Sequence, residues 1–394
     1  MGGEIVAPRV DSVKPIRRGA AVARFSRLAS ARRSPILLSP HRGDRPARTV
    51  RFEDVCIEAF AHVLPERVVT SAEIEDRLAP LYQRLRVSSG RLEMMSGIRE
   101  RRFFAKGTRP SAIAARAGER ALAQCGIDRA RIGCLVHAAV CRDFLEPATA
   151  SVVHHALALS PGCVAFDLSN ACLGFANAMA VAGAMIERGE IEAALVVSGE
   201  DGGPLVEATL RRLLDDPKAG RAELKRAHAS LTIGSAGAAC VLAKRGVARS
   251  RRRLIGGAAL VDTARHELCQ GDLADGFGAP LMETDSEALL QAGIALAART
   301  FVAFLEETGW SPDSIARVVT HQVGTAHRKL LYETLALDPA KDFPTVETLG
   351  NTGSASMPVC YAMAEEAGFV RAGDRVAMLG IGSGLACMML AVEA

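Results

Sequence analysis

Residues 132–197 and 315–379 run through the same order of apolar, polar and small residues. Ile315-Ala316-Arg317-Val318-Val319-Thr320-His321 parallels Ile132-Gly133-Cys134-Leu135-Val136-His137, and Leu335-Ala336-Leu337 parallels Leu157-Ala158-Leu159. Residues 375–379 parallel 193–197. Between these landmarks Cys172 follows Leu159 by 13 residues and Asn351 follows Leu337 by 14. Each opens a helix rich in apolar and small residues. A repeat of this kind folds as two copies of one supersecondary unit. Packing the copies together brings the two helix starts to the centre.

From Phe52 onward the pattern alternates strands with helices. The spacing predicts a helix over 112–125, a strand over 132–139, a helix over 148–159, and strands over 193–198 and 231–242. Such alternation implies an α/β chain with a parallel sheet and helices on its faces. Residues 202–230 are charged, helix-like and out of rhythm. They read as an inserted cap or dimer-contact segment.

The 394 residues suffice for two or three domains at about 150 each. With 49% hydrophobic residues but only 4% aromatics, the cores must be built from Ala, Val, Leu, Ile and Met. The formal charge of +4 conceals an asymmetry. Residues 1–52 carry 12 basic and 3 acidic side chains, while the remaining 342 carry 36 and 41. The body is therefore mildly acidic, which argues against nucleic-acid binding. Residues 1–51 mix Arg, Ser, Pro and Gly without a hydrophobic period and read as a basic, disordered extension; a targeting or polyanion-binding segment is the other reading. They contain no apolar stretch of the kind that directs secretion.

The ten cysteines include no Cys-x-x-Cys pair and no zinc-ligand spacing, so no metal site is expected. Most lie in apolar stretches, which fits a reducing, cytoplasmic setting. The longest apolar run, 171–186, is shorter than the ~20 residues of a membrane span and reads as a core helix.

Cys172 lies in Asp167-Leu168-Ser169-Asn170-Ala171-Cys172-Leu173-Gly174-Phe175. The strand-like Cys163-Val164-Ala165-Phe166 precedes it and a buried helix over 174–186 follows. A thiol at such a helix start meets free N–H groups and the positive end of the dipole, so its pKa should fall. His321 follows a buried strand, at the kind of strand end where ligands gather in α/β folds. Asn351 stands in the turn Gly350-Asn351-Thr352-Gly353. A nucleophile, donors for a carbonyl oxygen and a dry chamber are the parts of an acyl-transfer site. His154 and His155 read as residues of a helix face and receive no role.

Four segments carry a resemblance: Asn170-Ala171-Cys172, His321-Gln322-Val323, Gly350-Asn351-Thr352-Gly353 and Gly380-Ile381-Gly382-Ser383-Gly384. Over roughly residues 52–394 the chain resembles ketosynthase III-type condensing enzymes of the thiolase superfamily. That resemblance implies a five-layered αβαβα fold from two duplicated βαβαβαββ halves, here 52–245 and 246–394, and a homodimer. It implies acylation of Cys172 from a thioester, with His321 and Asn351 holding the carbonyl of the second substrate. A further oxyanion hole would use the backbone N–H groups of Cys172 and Ser383. Ser383 stands where many relatives have Gly, which a backbone donor tolerates.

A finer likeness lies in Cys141-Arg142-Asp143-Phe144-Leu145-Glu146-Pro147-Ala148-Thr149-Ala150. It is similar to a segment of OleA-type enzymes, the long-chain olefin branch, which join two fatty acyl-CoA molecules without losing CO2. By that likeness Glu146 enters the partner subunit's site as the base. A simple acyl-CoA must lose an α-proton, and this calls for a carboxylate in a low-dielectric pocket. Residues 71–96 would form helices over the substrate channels, followed by a loop over 97–102. No resident cofactor is implied; acyl-CoA or an acyl-carrier phosphopantetheine is the substrate, and downstream pathway enzymes are further partners. The alternatives are a decarboxylative synthase using malonyl-carrier protein, a papain-like Cys–His–Asn hydrolase and a silent partner subunit. The hydrolase lacks its local motif here, and a silent subunit would have lost the nucleophile.

Overall fold

The computed structural model describes residues 47–273 and 280–394. Most of the extension expected over 1–51 therefore lies outside the described residues. Its last part corrects the expectation: Arg48–Arg51 is a strand, β1, whose Thr49 and Val50 suit extended backbone. The first half continues with β2 (Val55–Val63), β3 (Arg67–Thr70), β4 (Glu100–Phe103), β5 (Ile132–Ala138), β6 (Val164–Leu168), β7 (Ala193–Glu200) and β8 (Ala236–Lys244). The second supplies β9 (Arg253–Val261), β10 (Cys269–Leu273), β11 (Pro280–Thr284), β12 (Arg317–Thr320), β13 (Arg375–Gly382) and β14 (Ala386–Glu393).

The main sheet runs β12-β13-β14-β9-β2-β8-β7-β5-β6, with β1 added antiparallel on β9. Setting aside the antiparallel pairs β3–β4 and β10–β11, the first half's strands stand in the order third, second, fourth, fifth, first. The second half shows second, fourth, fifth, first. A parallel bridge from Val318 to Asp342 lies where its third strand would be. The same wiring thus occurs twice, and each half inserts its small two-stranded pair after its first strand.

The sheet is mixed, not parallel. Strands β5, β6 and β7 are mutually parallel, as are β12 and β13. Strands β8 and β14 run antiparallel to their neighbours. The three-residue turn between β13 and β14 permits only an antiparallel return, since parallel neighbours need a long crossover. The predicted strand 231–242 also begins later: Ser230–Thr232 is a 3-10 turn and β8 starts at Ala236.

Helices Gly174–Glu187 and Ser356–Glu366 form the middle layer, and their Ala, Met, Val and Tyr side chains share one core with both half-sheets. Phe60 of β2 packs on Tyr361 at 4.3 Å between ring centroids. Helices Pro110–Cys125 and Thr149–Ala156 cover the outer face of the first half-sheet. Ser286–Thr308 and Thr325–Leu335 cover the second. The result is five layers with three stacked cores.

Ser286–Thr308 is long and apolar enough to cross a membrane, yet it lies along β9 and β14 and buries Ile294, Ala297, Phe301 and Phe304 there. A fourth core joins helices Ser71–Arg77, Ala79–Leu85 and Arg91–Ser96 to Gly203–Asp215 through Ile74, Leu78, Leu81, Val206 and Leu210. The charged insert is therefore half of a cap. The loop expected over 97–102 is partly strand, because Glu100–Phe103 pairs with β3.

Candidate active site

The two helix starts that the repeat brings together carry matching backbones. Each preceding outer helix ends on a left-handed alanine, Ala158 (φ 48°) and Ala336 (φ 54°). The residue before Cys172 is Ala171 at φ 46°, and the residue before Asn351 is Gly350 at φ 67°. Glycine takes that conformation freely; an alanine there stores strain of the sort found at reactive elbows. Ser354, three residues after Asn351, holds the strained elbow by donating its hydroxyl to the Ala171 carbonyl at 2.7 Å. The two halves are thus hydrogen-bonded to each other at the nucleophile.

Cys172 is partly buried and departs from expectation. Burial, aided by the Glu200 carboxylate and by Cys269, pushes its thiol up to about 12. The helix begins at Gly174 with Leu173 as its cap. The N–H groups of Leu173 and Gly174 are already given to the carbonyls of Asn170 and Ala171, at 3.0 and 3.2 Å. Two of the donors expected to favour a thiolate are therefore spent, and with burial the resting residue is a thiol.

His321 stands just beyond β12, its N–H bonded to the Leu379 carbonyl of β13 at 2.9 Å. It is almost fully buried, and its Nδ1 has no partner among the described residues. Burial, with His327 nearby, pushes the imidazole down to about 3, so it is neutral at ordinary pH. A neutral imidazole can still donate one N–H to a carbonyl oxygen. Gln322 fixes the following chain: its side chain accepts from Val346 N–H at 2.9 Å and donates to the Phe343 carbonyl at 2.9 Å.

Asn351 is anchored by its backbone in both directions. Its N–H reaches the Thr232 carbonyl at 3.0 Å, and its own carbonyl receives Gly234 N–H at 2.9 Å. A Cβ on Gly234 would lie 2.0 Å from the Leu349 carbonyl, so this approach requires glycine. The side-chain oxygen accepts from Gly353 N–H at 3.0 Å. That leaves the amide N–H groups without a partner among the described residues, available to a bound carbonyl.

The C-terminal glycine segment meets the nucleophile directly. A Cβ on Gly382, the last residue of β13, would sit 3.6 Å from the Cys172 backbone nitrogen. Ser383 is the next residue. The geometry thus ties the Cys172 elbow to the Asn351 turn through Ser354 and to Gly382 of β13, the strand whose Leu379 carbonyl receives the His321 N–H.

Glu146 is elsewhere: it is exposed in the loop between β5 and the helix Thr149–Ala156. That loop is tightly secured. Asp143 accepts both the N–H and the hydroxyl of Ser111, at 2.9 and 2.5 Å, and its own N–H reaches the Thr149 hydroxyl at 3.1 Å. Asp167 accepts the N–H groups of Thr149 and Ala150 at 2.8 and 2.7 Å. Arg109 covers the Phe144 ring at 4.8 Å. Between these clamps Leu145 is 76% exposed, and Val140 at the start of the loop is 52% exposed.

Sequence reasoning missed Glu200, Ser354 and Gly234. Glu200 left one signal: a charged pair, Glu200-Asp201, closes an otherwise apolar strand.

Sequence profiles of the 3-oxoacyl-[acyl-carrier-protein (ACP)] synthase III family match residues 166–260, and those of its C-terminal part match 305–394. An acyl-CoA:acyl-CoA alkyltransferase of Shewanella oneidensis is 39% identical over 350 residues, 87% of this chain and all of that protein. One from Xanthomonas campestris is also 39% identical, over 86% of this chain and 99% of the relative. A β-ketoacyl-[acyl-carrier-protein] synthase III of Rhodobacter capsulatus is 28% identical over 84% of this chain and 96% of its own. Among solved structures, Xanthomonas campestris OleA superposes with a TM-score of 0.83 at 38% identity, over 87% of this chain. One such structure, of a cysteine-to-serine variant, holds lauric acid and lauroyl-CoA.

Proposed function

This chain belongs to the ketosynthase III family, on its acyl-CoA:acyl-CoA alkyltransferase branch, and we propose that it joins two fatty acyl-CoA molecules by a non-decarboxylative Claisen condensation. The observation that carries this reading is the hydrogen-bonded junction of the Cys172 elbow with the Asn351 turn, Ser354 to Ala171.

In the first half-reaction the Cys172 sulfur attacks the thioester of one acyl-CoA. The C–S bond to CoA breaks, the thiol proton leaves with CoA as CoA-SH, and an acyl-cysteine remains. A thiol pushed up to about 12 favours a concerted loss of that proton over a standing thiolate. In the second half-reaction Glu146 of a second copy takes the α-proton of another acyl-CoA. The neutral His321 and the Asn351 amide donate to the enolate oxygen, where charge develops. The α-carbon attacks the acyl carbonyl, whose oxyanion rests on the N–H groups of Cys172 and Ser383. Collapse expels the Cys172 sulfur, which regains the proton held by Glu146. Two acyl-CoA give one 2-alkyl-3-oxoacyl-CoA and one CoA-SH. No resident cofactor is assigned a step.

The reading requires a homodimer, and three features support one. Among the described residues β6 pairs only with β5, so its other edge offers backbone donors and acceptors for a further strand. Val164 on β6 is 51% exposed, and Val140, Phe144, Leu145 and Val181 are exposed apolar residues of neighbouring elements. The Glu146 loop is braced as a projecting part, though none of its clamps directs Glu146 to its own chain's Cys172. All ten cysteines are free, which fits a reducing cytoplasm.

Incubation of the purified protein with isotopically labelled acyl-CoA alone is the test. A coupled 3-oxoacyl product retaining every labelled carboxyl carbon is expected. Product only when a malonyl thioester is added, with CO2 released, would replace this reading by the decarboxylative one.

A further inference from the structure

The acid at the end of β7 has no part in the reaction above, yet it touches two of the segments that do. Glu200 is 4% exposed. Its Oε1 accepts the N–H groups of Val140 at 3.0 Å and of Ser354 at 3.1 Å, and its Oε2 accepts that of Cys141 at 3.1 Å. Val140 and Cys141 are the root of the Glu146 loop. Ser354 belongs to the Asn351 turn and donates its hydroxyl to Ala171, the residue before the nucleophile. A Cβ on Gly353 would stand 3.0 Å from Glu200 Oε1, so the turn is seated directly on the carboxylate. Three N–H donors from two halves of the molecule converge on one buried side chain.

We propose that Glu200 is a positioning residue for the condensation, fastening the Asn351 turn to the root of the Glu146 loop and holding a carboxylate one hydrogen-bonded residue, Ser354, away from the Cys172 elbow. The proposal rests on the roles assigned above to Cys172, Asn351 and Glu146. A carboxylate can accept several N–H bonds at once. Any neutral replacement of the same shape either loses acceptors or presents an N–H to an N–H. The charge has a cost: Glu200 is among the causes that hold the Cys172 thiol up, second to burial and ahead of Cys269 of β10. It also raises the thiol of Cys141, which faces it from the loop beside Asp201.

Two variants separate geometry from charge. Glu200→Gln keeps the size and removes the charge; Glu200→Asp keeps the charge and withdraws it by one methylene. Iodoacetamide alkylation of Cys172, followed by mass spectrometry across pH, needs no acyl-CoA and reports the nucleophile alone. For Glu200→Gln the alkylation profile should move to lower pH by about one unit, about a tenfold faster reaction at a fixed pH below the midpoint. Condensation of acyl-CoA should fall at least ~10-fold, because a small misplacement of reacting groups suffices. For Glu200→Asp the alkylation profile should remain that of the parent while condensation still falls. Thermal melting confirms that each variant is folded. An unmoved alkylation profile in folded Glu200→Gln, or undiminished condensation in both variants, would overturn the proposal. If the unaltered protein gives no product from acyl-CoA alone, the proposed reaction fails, and the alkylation arm still judges the charge on its own.

Discussion

At Cys172 two influences oppose each other, and the structure decides between them. The helix start favours a thiolate, but its first donors are spent within the turn, and burial with Glu200 pushes the thiol up to about 12. Alkylation of Cys172 should therefore keep accelerating through pH 9 without a plateau; a plateau near pH 7 would contradict this. At His321 burial acts in the other direction. An imidazole pushed down to about 3 stays neutral, so the condensation rate should show no protonation step from it between pH 5 and 8. Changing His321 to Ala should leave acyl-Cys172 formation in place and slow condensation by about 100-fold, the scale of one lost oxyanion donor. Mass spectrometry for the adduct and product assay for turnover separate the two. Cys172, His321 and Asn351 stand out in the sequence as candidates because each sits at a repeated landmark. Glu200 does not, since its importance lies in three backbone donors that only the folded chain assembles.

At the scale of elements, loops placed by backbone hydrogen bonds carry the site. The Asn351 turn depends on its close approach to 232–234, and Gly234→Ala would force a Cβ to within 2.0 Å of the Leu349 carbonyl. That variant should bind and transfer the first acyl group normally but lose most condensation, read as adduct without product. The Glu146 loop is braced by Asp143, Asp167 and Glu200, so Glu146→Gln should keep its shape and its Cys172 acylation. Condensation should drop at least ~100-fold, as for a removed general base. Most helices and strands of the repeat were legible from their periodicity. The start of β8 was misplaced because Leu231-Thr232-Ile233 looks like strand but closes a 3-10 turn. The β3–β4 pair was missed because each strand is only four residues long and three helices separate them.

At the scale of the whole molecule, the duplication sets both architecture and chemistry. Two copies of one wiring place a left-handed turn from each half against the other, and the central core holds them there. The repeat made this legible, but the mixed strand directions were not, because a hydrophobic run does not say which way its chain points. Buried neutral histidines add a pH signature. His321 and His327 sit at about 3 and about 4, below the unfolded value near 6.5, so the unfolded chain binds more protons between those limits. Stability should therefore decline as pH falls from 6.5 toward 4, seen as a falling urea midpoint.

The proposed assembly has the most direct test. Cys172→Ala and Glu146→Gln chains, each inactive alone, are co-expressed and assayed with acyl-CoA. If Glu146 serves the neighbouring subunit, a mixed dimer contains one site with Cys172 from one chain and Glu146 from the other. Random pairing should then restore about a quarter of the parent turnover. No product from the mixed preparation, with dimers present, would contradict the account.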